Sequence, residues 1–93
     1  MTETLRKVMR LIEFTSPDCG ACKAMEGFIA GACEEFGIEF VPRDVTVWPQ
    51  LARAYGISVL PTLILTNEED VPVARVSGSM SKARFIRWLT EKI

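Results

Sequence analysis

The sequence predicts a single α/β domain over residues 1–93, with the element order β-α-β-α-β-β-α and a four-stranded mixed sheet flanked by helices. Two observations predict this class. Apolar residues make up 48% of the 93 residues, which is enough for one modest core. Their spacing also changes along the chain, from short runs typical of strands to steps of three and four residues typical of helices.

The first half of the chain predicts a βαβ unit. Residues 8–14 are mostly apolar, as in a strand covered on both faces. Residues 19–36 have helical spacing, and Gly37 can end this helix. The expected apolar stripe of the helix consists of Met25, Phe28, Ile29, Ala32 and Phe36. A second strand at 38–45 should then run parallel to the first, through a right-handed crossover.

The second half predicts a short helix, a hairpin and a last helix. Pro49 suits the first turn of a helix over 49–55, and strands follow at 62–65 and 71–77. Pro72 lacks an N–H group, so the last strand should lie at an edge of the sheet, antiparallel to its neighbour. Ser81 can cap the last helix, whose expected stripe is Phe85, Ile86, Leu89 and Ile93.

Composition excludes several classes of function. The net charge of −1 argues against nucleic acid or an anionic membrane as the main partner. The chain has no histidine, which removes Cys-His catalysis and mixed Cys/His zinc sites. Arg10 and Glu13 break the first apolar run, which is too short for a signal segment or a membrane span. With three cysteines, no disulfide framework is expected, and we expect a cytoplasmic protein.

The segment Cys19-Gly20-Ala21-Cys22 carries the chemistry. If the helix begins near Cys19, this spacing brings the second sulfur one turn round, close to the first. Free N–H groups at a helix start favour negative charge, so Cys19 there is held partly as thiolate, the nucleophile of disulfide exchange. Cys19 would attack and Cys22 would resolve the mixed disulfide. Alone, this spacing serves redox, zinc and haem chemistry alike.

Other residues leave alternatives open. Cys33 lies on the same helix as Cys22 and is expected to be a core residue, with a redox sensor or a zinc ligand as the alternative. Trp48 is expected to pack against the sheet or the short helix, with contact to a partner as the alternative. Lys82, Arg84 and Arg87 are most simply a solvated face of the last helix.

Five segments together resemble the thioredoxin family: Cys19-Gly20-Ala21-Cys22 after a strand, Pro49 with Leu51-Ala52, Tyr55-Gly56-Ile57, Leu60-Pro61-Thr62, and Gly78 before Met80-Ser81-Lys82. The resemblance covers nearly everything after residue 7. It implies a thioredoxin fold in its minimal, glutaredoxin-sized form, without the extra strand and helix that usually come first. It also implies disulfide exchange with Cys19 as the nucleophile. Asp18 departs from the family, which usually has tryptophan there, and its carboxylate opposes thiolate formation.

The resemblance also implies the rest of the site. Pro61 should follow a cis bond and face the cysteines, and the backbone of Leu60 should pair with the substrate chain. Val59 and Gly78 would complete the docking groove. Glu13 stands where the family has a buried aspartate that relays protons to the resolving thiol. The alternative for Glu13 is a carboxylate at a strand end that reaches water.

The expected function is therefore that of a thiol-disulfide oxidoreductase that reduces protein disulfides. Its own dithiol would be reduced again by a reductase that the sequence does not identify. No cofactor, metal, nucleic acid or membrane is expected, and the chain should be a monomer. One alternative is a glutaredoxin-like enzyme that uses glutathione. Val59-Leu60-Pro61 and Ser77-Gly78-Ser79 replace the glutathione-binding segments typical of glutaredoxins. The other alternative is a thiol-bearing binding module without turnover.

Overall fold

A computed structural model describes residues 7–93 of the chain. Its elements are β1 (Arg10–Thr15), α1 (Gly20–Phe36), β2 (Glu39–Asp44), α2 (Pro49–Ala54), β3 (Thr62–Thr66), β4 (Pro72–Ser77) and α3 (Lys82–Lys92). The predicted order is confirmed, with most ends moved by one or two residues. The predicted lead-in at residues 1–6 lies outside the described residues. No helix in the described part is long and apolar enough to cross a membrane.

The four strands form one mixed sheet in the order β2-β1-β3-β4. β1 and β2 are parallel, whereas β3 is antiparallel to both β1 and β4, which confirms the predicted fold class. The carboxyl ends of β1, β2 and β4 therefore meet the start of β3 at one edge of the sheet. We call this the upper edge, marked by Thr15, Asp44, Thr62 and Ser77. The opposite, lower edge is marked by Arg10, Glu39, Thr66 and Pro72.

Helices cover both faces of the sheet. One face packs against α1 and α3 in a core that includes Leu11, Met25, Ile29, Cys33, Leu63, Leu65, Phe85 and Leu89. The other face packs against α2 through Phe14, Ala52 and Ile64. The prediction of buried stripes is wrong for two residues: Phe36 is 37% exposed and Ile93 is 47% exposed. Both lie at the carboxyl ends of their helices, and Cys33 is the last buried residue of α1.

The helix ends follow from local sequence. Gly37 adopts φ 69°, and its N–H group bonds to the carbonyl of Glu34, as predicted for a left-handed stop. Ser81 caps α3 by accepting a hydrogen bond from the N–H group of Arg84 at 3.1 Å. Trp48 precedes α2 without a side-chain cap, and Pro49 supplies the pre-set first turn.

Both outer strands carry a proline. Pro72 begins β4, which is an outer strand of the sheet, as predicted. In the described part of the chain β2 is the other outer strand, and Pro42 lies within β2. Pro42 has no N–H group, and its carbonyl accepts a hydrogen bond from the guanidinium of Arg43 at 3.0 Å. Arg43 also lies over the ring of Trp48, 4.6 Å from its centroid.

Candidate dithiol active site

The start of α1 brings two sulfurs together at the upper edge. Cys19 is the N-cap residue and Cys22 lies in the first turn, with 5.3 Å between their Cα atoms and a bond between their sulfurs. The backbone N–H group of Cys22 donates to the Cys19 sulfur at 3.1 Å. The N–H group of Cys19 donates to the carbonyl of Ser16 at 3.2 Å, which closes the preceding turn. A helix start of this kind stabilises negative charge on the Cys19 sulfur once the bond is reduced.

The two sulfurs differ in access to solvent. Cys22 is fully buried, with 0% of its surface exposed, whereas Cys19 is partly exposed. An incoming disulfide therefore reaches Cys19 first. This asymmetry comes from the cap position, because the chain turns inward directly after Cys19 and carries Cys22 beneath the helix start.

The loop before β3 lies at the same edge. The Leu60–Pro61 peptide bond is cis, and the carbonyl of Pro61 accepts from the N–H group of Gly78 at 2.8 Å. The hydroxyl of Thr62 donates to the carbonyl of Val59 at 2.6 Å. Pro61 is buried, whereas Val59 is 48% exposed. The residues expected to dock a substrate therefore lie with Cys19 at the upper edge of the sheet.

Glu13 lies beneath this edge with an unpartnered carboxylate. It shares a face of β1 with Leu11, and 0% of its surface is exposed. Neither carboxylate oxygen has a hydrogen-bond partner within residues 7–93. Burial, and to a smaller extent the charge of Glu26, raises the pKa of Glu13 to about 7. The structure thus excludes the alternative in which Glu13 reaches water, and its carboxyl group has a near-neutral pKa inside the protein.

Cys33 is separate from this site. It is 1% exposed and packs in the core formed by α1, α3 and the sheet. Burial raises the pKa of its thiol to about 11, which keeps it protonated and unreactive at neutral pH. The structure therefore agrees with the prediction that Cys33 is a core residue.

Replacing Cys33 with alanine should leave disulfide reduction unchanged. The change removes one buried atom from the core, so it should lower the free energy of unfolding by roughly 0.5–1.5 kcal/mol. Urea unfolding and turnover, measured side by side with the unchanged protein, check both parts. Loss of turnover in a folded Cys33→Ala variant would contradict a structural role.

The loop between β2 and α2 adds two exposed apolar residues at the upper edge. The N–H group of Val45 donates to the carbonyl of Thr15 at 2.8 Å, which ties this loop to the end of β1. Val47 is 67% exposed and Trp48 is 46% exposed. From the sequence we expect Trp48 to pack against the sheet or the short helix, and Val47 is not among the predicted site residues. The available signal was two apolar residues in a short loop directly before Pro49.

A bonded cysteine pair at a helix start, at the same sheet edge as a cis-proline, defines the general class of thiol-disulfide oxidoreductases. A sequence model of the family described as Thioredoxin matches residues 2–91. The chain belongs to the thioredoxin family.

Individual proteins of this family are similar over most of the chain. The SPbeta prophage-derived thioredoxin-like protein YosR of Bacillus subtilis is 33% identical over 70 residues, covering 75% of this chain and 82% of that protein. Thioredoxin C-3 of Corynebacterium nephridii is 30% identical over 84 residues, covering 89% of this chain but 57% of that protein. The chain thus spans little more than half the length of some relatives.

The fold has close counterparts among solved structures. The X-ray structure of Fasciola hepatica thioredoxin superposes with a TM-score of 0.83 at 19% identity, covering 99% of this chain and 88% of that one. At this identity the likeness establishes the shared thioredoxin fold.

Proposed function

We propose that this protein reduces disulfide bonds in other proteins with the dithiol form of Cys19 and Cys22. One observation carries the proposal: a partly exposed cysteine at a helix start is bonded to a fully buried one. This pairing suits a two-step exchange, because the exposed sulfur meets the substrate and the buried one waits beneath it. Family membership supports the same general chemistry.

In the first step the Cys19 thiolate attacks one sulfur of the substrate disulfide. A bond forms between this sulfur and Cys19, the substrate S–S bond breaks, and the other substrate sulfur leaves as a thiolate that takes up a proton. The N–H group of Cys22, which donates to the Cys19 sulfur at 3.1 Å, favours the attacking thiolate. Asp18 acts in the opposite sense, since its carboxylate adjoins Cys19 in the chain.

In the second step Cys22 loses its proton and attacks the Cys19 sulfur. The mixed disulfide breaks, the second substrate sulfur leaves, and the protein is left with the Cys19–Cys22 bond. Glu13 is the proposed acceptor of the Cys22 proton, because its buried carboxylate has a pKa of about 7 and no hydrogen-bond partner within residues 7–93. A dithiol reductase must then return two electrons and two protons to the pair.

The substrate chain is proposed to dock as an extended strand along Val59, Leu60 and Pro61. Main-chain hydrogen bonds give affinity in this mode and make little demand on the substrate sequence. Gly78 adopts φ 94°, and a Cβ atom there would project into open space, where the docked chain is expected to lie. The proposal takes the protein to be a monomer, and it places the activity in the cytoplasm on the grounds of the low cysteine content.

A protein disulfide should be a better substrate than a glutathione mixed disulfide. Glutathione is small and anionic and needs a precise cationic site, whereas Val59 and Leu60 offer apolar surface and backbone. The comparison is kcat/KM for insulin against kcat/KM for a glutathione-modified peptide, with dithiothreitol as the donor. We expect at least a ~10-fold preference for insulin.

Two outcomes would favour the alternatives. A preference for the glutathione adduct that disappears in Lys23→Ala would indicate a glutaredoxin-like enzyme, because Lys23 is the cation nearest Cys22 in the chain. Stoichiometric binding of a partner with no turnover on either substrate would indicate a binding module.

A further inference from the structure

We infer that the upper edge recognises acidic residues that flank the substrate disulfide, so that the preferred partner is an acidic protein segment. This inference rests on the proposed function and names the substrate class for the same site. It is carried by the distribution of charge along the sheet and by exposed apolar residues at the same edge of the sheet as Cys19.

The lower edge collects the carboxylates. The last turn of α1, the first residue of β2 and the β3–β4 hairpin supply Glu34, Glu35, Glu39, Glu68, Glu69 and Asp70. The cations at the lower edge, among residues 7–93, are Lys7, Arg10 and Lys92, and the first two are paired. Arg10 bonds to Glu39 and Asp70 at 2.5 Å each, and Lys7 lies 3.6 Å from Glu69. With Glu91 in the last turn of α3, seven carboxylates against three cations leave this edge negative.

The upper edge carries cations without such pairing. Lys23 lies in the first turn of α1, and Lys82 and Arg84 lie in the first turn of α3, which begins four residues after Gly78. All three side chains are exposed, and no carboxylate among the described residues lies within 4.0 Å of them. A helix dipole disfavours cations at these positions, and neither first turn contains an acid. Lys23, Lys82 and Arg84 therefore lower the local stability of their helices. Contact with a negatively charged partner accounts for cations at these positions.

Carboxylates on this side offset most of the positive charge, since three surface carboxylates stand against Lys23, Arg43, Lys82 and Arg84. Asp18 adjoins Cys19, Asp44 ends β2, and Glu26 lies one turn beyond the start of α1. The carboxylate of Asp44 is engaged by the N–H group of Thr46 at 2.8 Å and by its hydroxyl at 2.6 Å. The charge of the described residues is therefore negative at the lower edge and slightly positive at the upper edge, where the dithiol lies.

The exposed apolar residues lie at the same edge. Val47, Trp48 and Val59 are 67%, 46% and 48% exposed. Arg43 lies 4.6 Å from the centroid of the Trp48 ring, so a cationic group is fixed against an aromatic surface. An extended substrate segment that lies along Val59 and Leu60 would therefore meet both apolar surface and positive charge. Acidic side chains beside the disulfide complement this surface, whereas basic side chains are repelled.

The test uses two peptides with the same disulfide-bonded hairpin, one flanked by glutamates and the other by lysines. Rates of reduction are measured with dithiothreitol as donor in about 0.02 M and about 0.5 M NaCl. We expect kcat/KM for the glutamate peptide to be about 10-fold higher at low salt, and this preference should fall to within about twofold at high salt. Equal rates at low salt, or faster reduction of the lysine peptide, would overturn the inference while leaving the proposed function intact.

The double variant Lys82→Glu, Arg84→Glu should reduce the low-salt preference to below about threefold. Lys92→Glu is the matched control, because it makes the same type of change in the same helix, at the end away from the upper edge. It should keep the preference. A preference that survives the double variant would overturn the assignment to α3, provided that circular dichroism shows a folded protein. Failure to reduce either peptide would instead contradict the proposed function itself.

Discussion

Cys19→Ser is expected to abolish the reduction of protein disulfides, whereas Cys22→Ser is expected to stop the reaction after its first step. The serine hydroxyl is a far weaker nucleophile than a thiolate, so loss of Cys19 should lower kcat/KM by at least about 10³-fold. Cys22 is fully buried, so its loss leaves the first attack intact and removes the sulfur that resolves the mixed disulfide. The two variants should therefore fail in different ways.

Intact-protein mass spectrometry separates these outcomes. After incubation with a peptide disulfide, Cys22→Ser should carry one peptide bound through Cys19, and Cys19→Ser should carry none. Each variant is made with Cys33→Ala as well, so that the remaining cysteine of the pair is the single thiol that can trap the peptide. Alkylation of the reduced protein provides an independent check, since Cys19 should be labelled faster than Cys22. Faster labelling of Cys22, or a peptide adduct in Cys19→Ser, would reverse the assignment.

Glu13→Gln is expected to remove a large part of the pH dependence of stability. The pKa of Glu13 is about 7 in the folded protein against an ordinary value of 4.5, so the folded state holds a proton that the unfolded state has already lost between these pH values. Stability must then fall as pH rises through this range, because the unfolded state binds fewer protons. Relative to pH below 4.5, the loss above pH 7 is roughly 3 kcal/mol.

Urea unfolding of the oxidised protein at several pH values measures this effect without titration of Cys19 and Cys22. The readout is the difference in unfolding free energy between Glu13→Gln and the unchanged protein. This difference should move in favour of the variant by roughly 3 kcal/mol from pH 4 to pH 8. Glu26→Gln is the matched control, since its carboxylate is exposed and makes only the smaller contribution to the pKa of Glu13. Parallel stability curves for Glu13→Gln and the unchanged protein would contradict a buried, titrating Glu13.

The same variant tests the proposed proton transfer. Glu13→Gln should leave the attack by Cys19 nearly unchanged and slow the resolution by Cys22, by less than the ~10²-fold typical of a general base because water can substitute. Stopped-flow measurement of mixed-disulfide decay across pH 6–8 provides the rates. Equal decay rates for the two proteins would leave Glu13 with a structural and not a catalytic role.

Local sequence was sufficient to predict the features that depend on neighbouring residues. The helix stop at Gly37, the cap at Ser81 and the edge position of the strand with Pro72 follow from backbone chemistry within a few positions. The two-residue gap between Cys19 and Cys22 similarly sets their closeness once a helix begins there. These predictions agree with the structure because no distant contact competes with them.

Features that depend on how elements pack were less predictable. Alternation along β1 indicates which way Glu13 points, but its complete burial depends on the helix that lies over it. The spacing of α1 admits both Cys33 and Phe36 to the apolar side, and the extent of the sheet beneath the helix decides between them. The environment of Trp48 likewise depends on another element. Arg43 belongs to β2, and its guanidinium lies over the Trp48 ring while it donates to the carbonyl of Pro42.

Among residues 7–93 no strand pairs with the outer flank of β2, and this free flank has a consequence for self-association. An open strand edge is a template on which another chain can add, and repeated addition leads to fibrils. Pro42 interrupts that template, since it has no N–H group to offer and its carbonyl is already occupied by the Arg43 side chain. A growing β-structure would meet a gap in its ladder at the middle of this strand. Pro42 thus disfavours polymerisation through this strand.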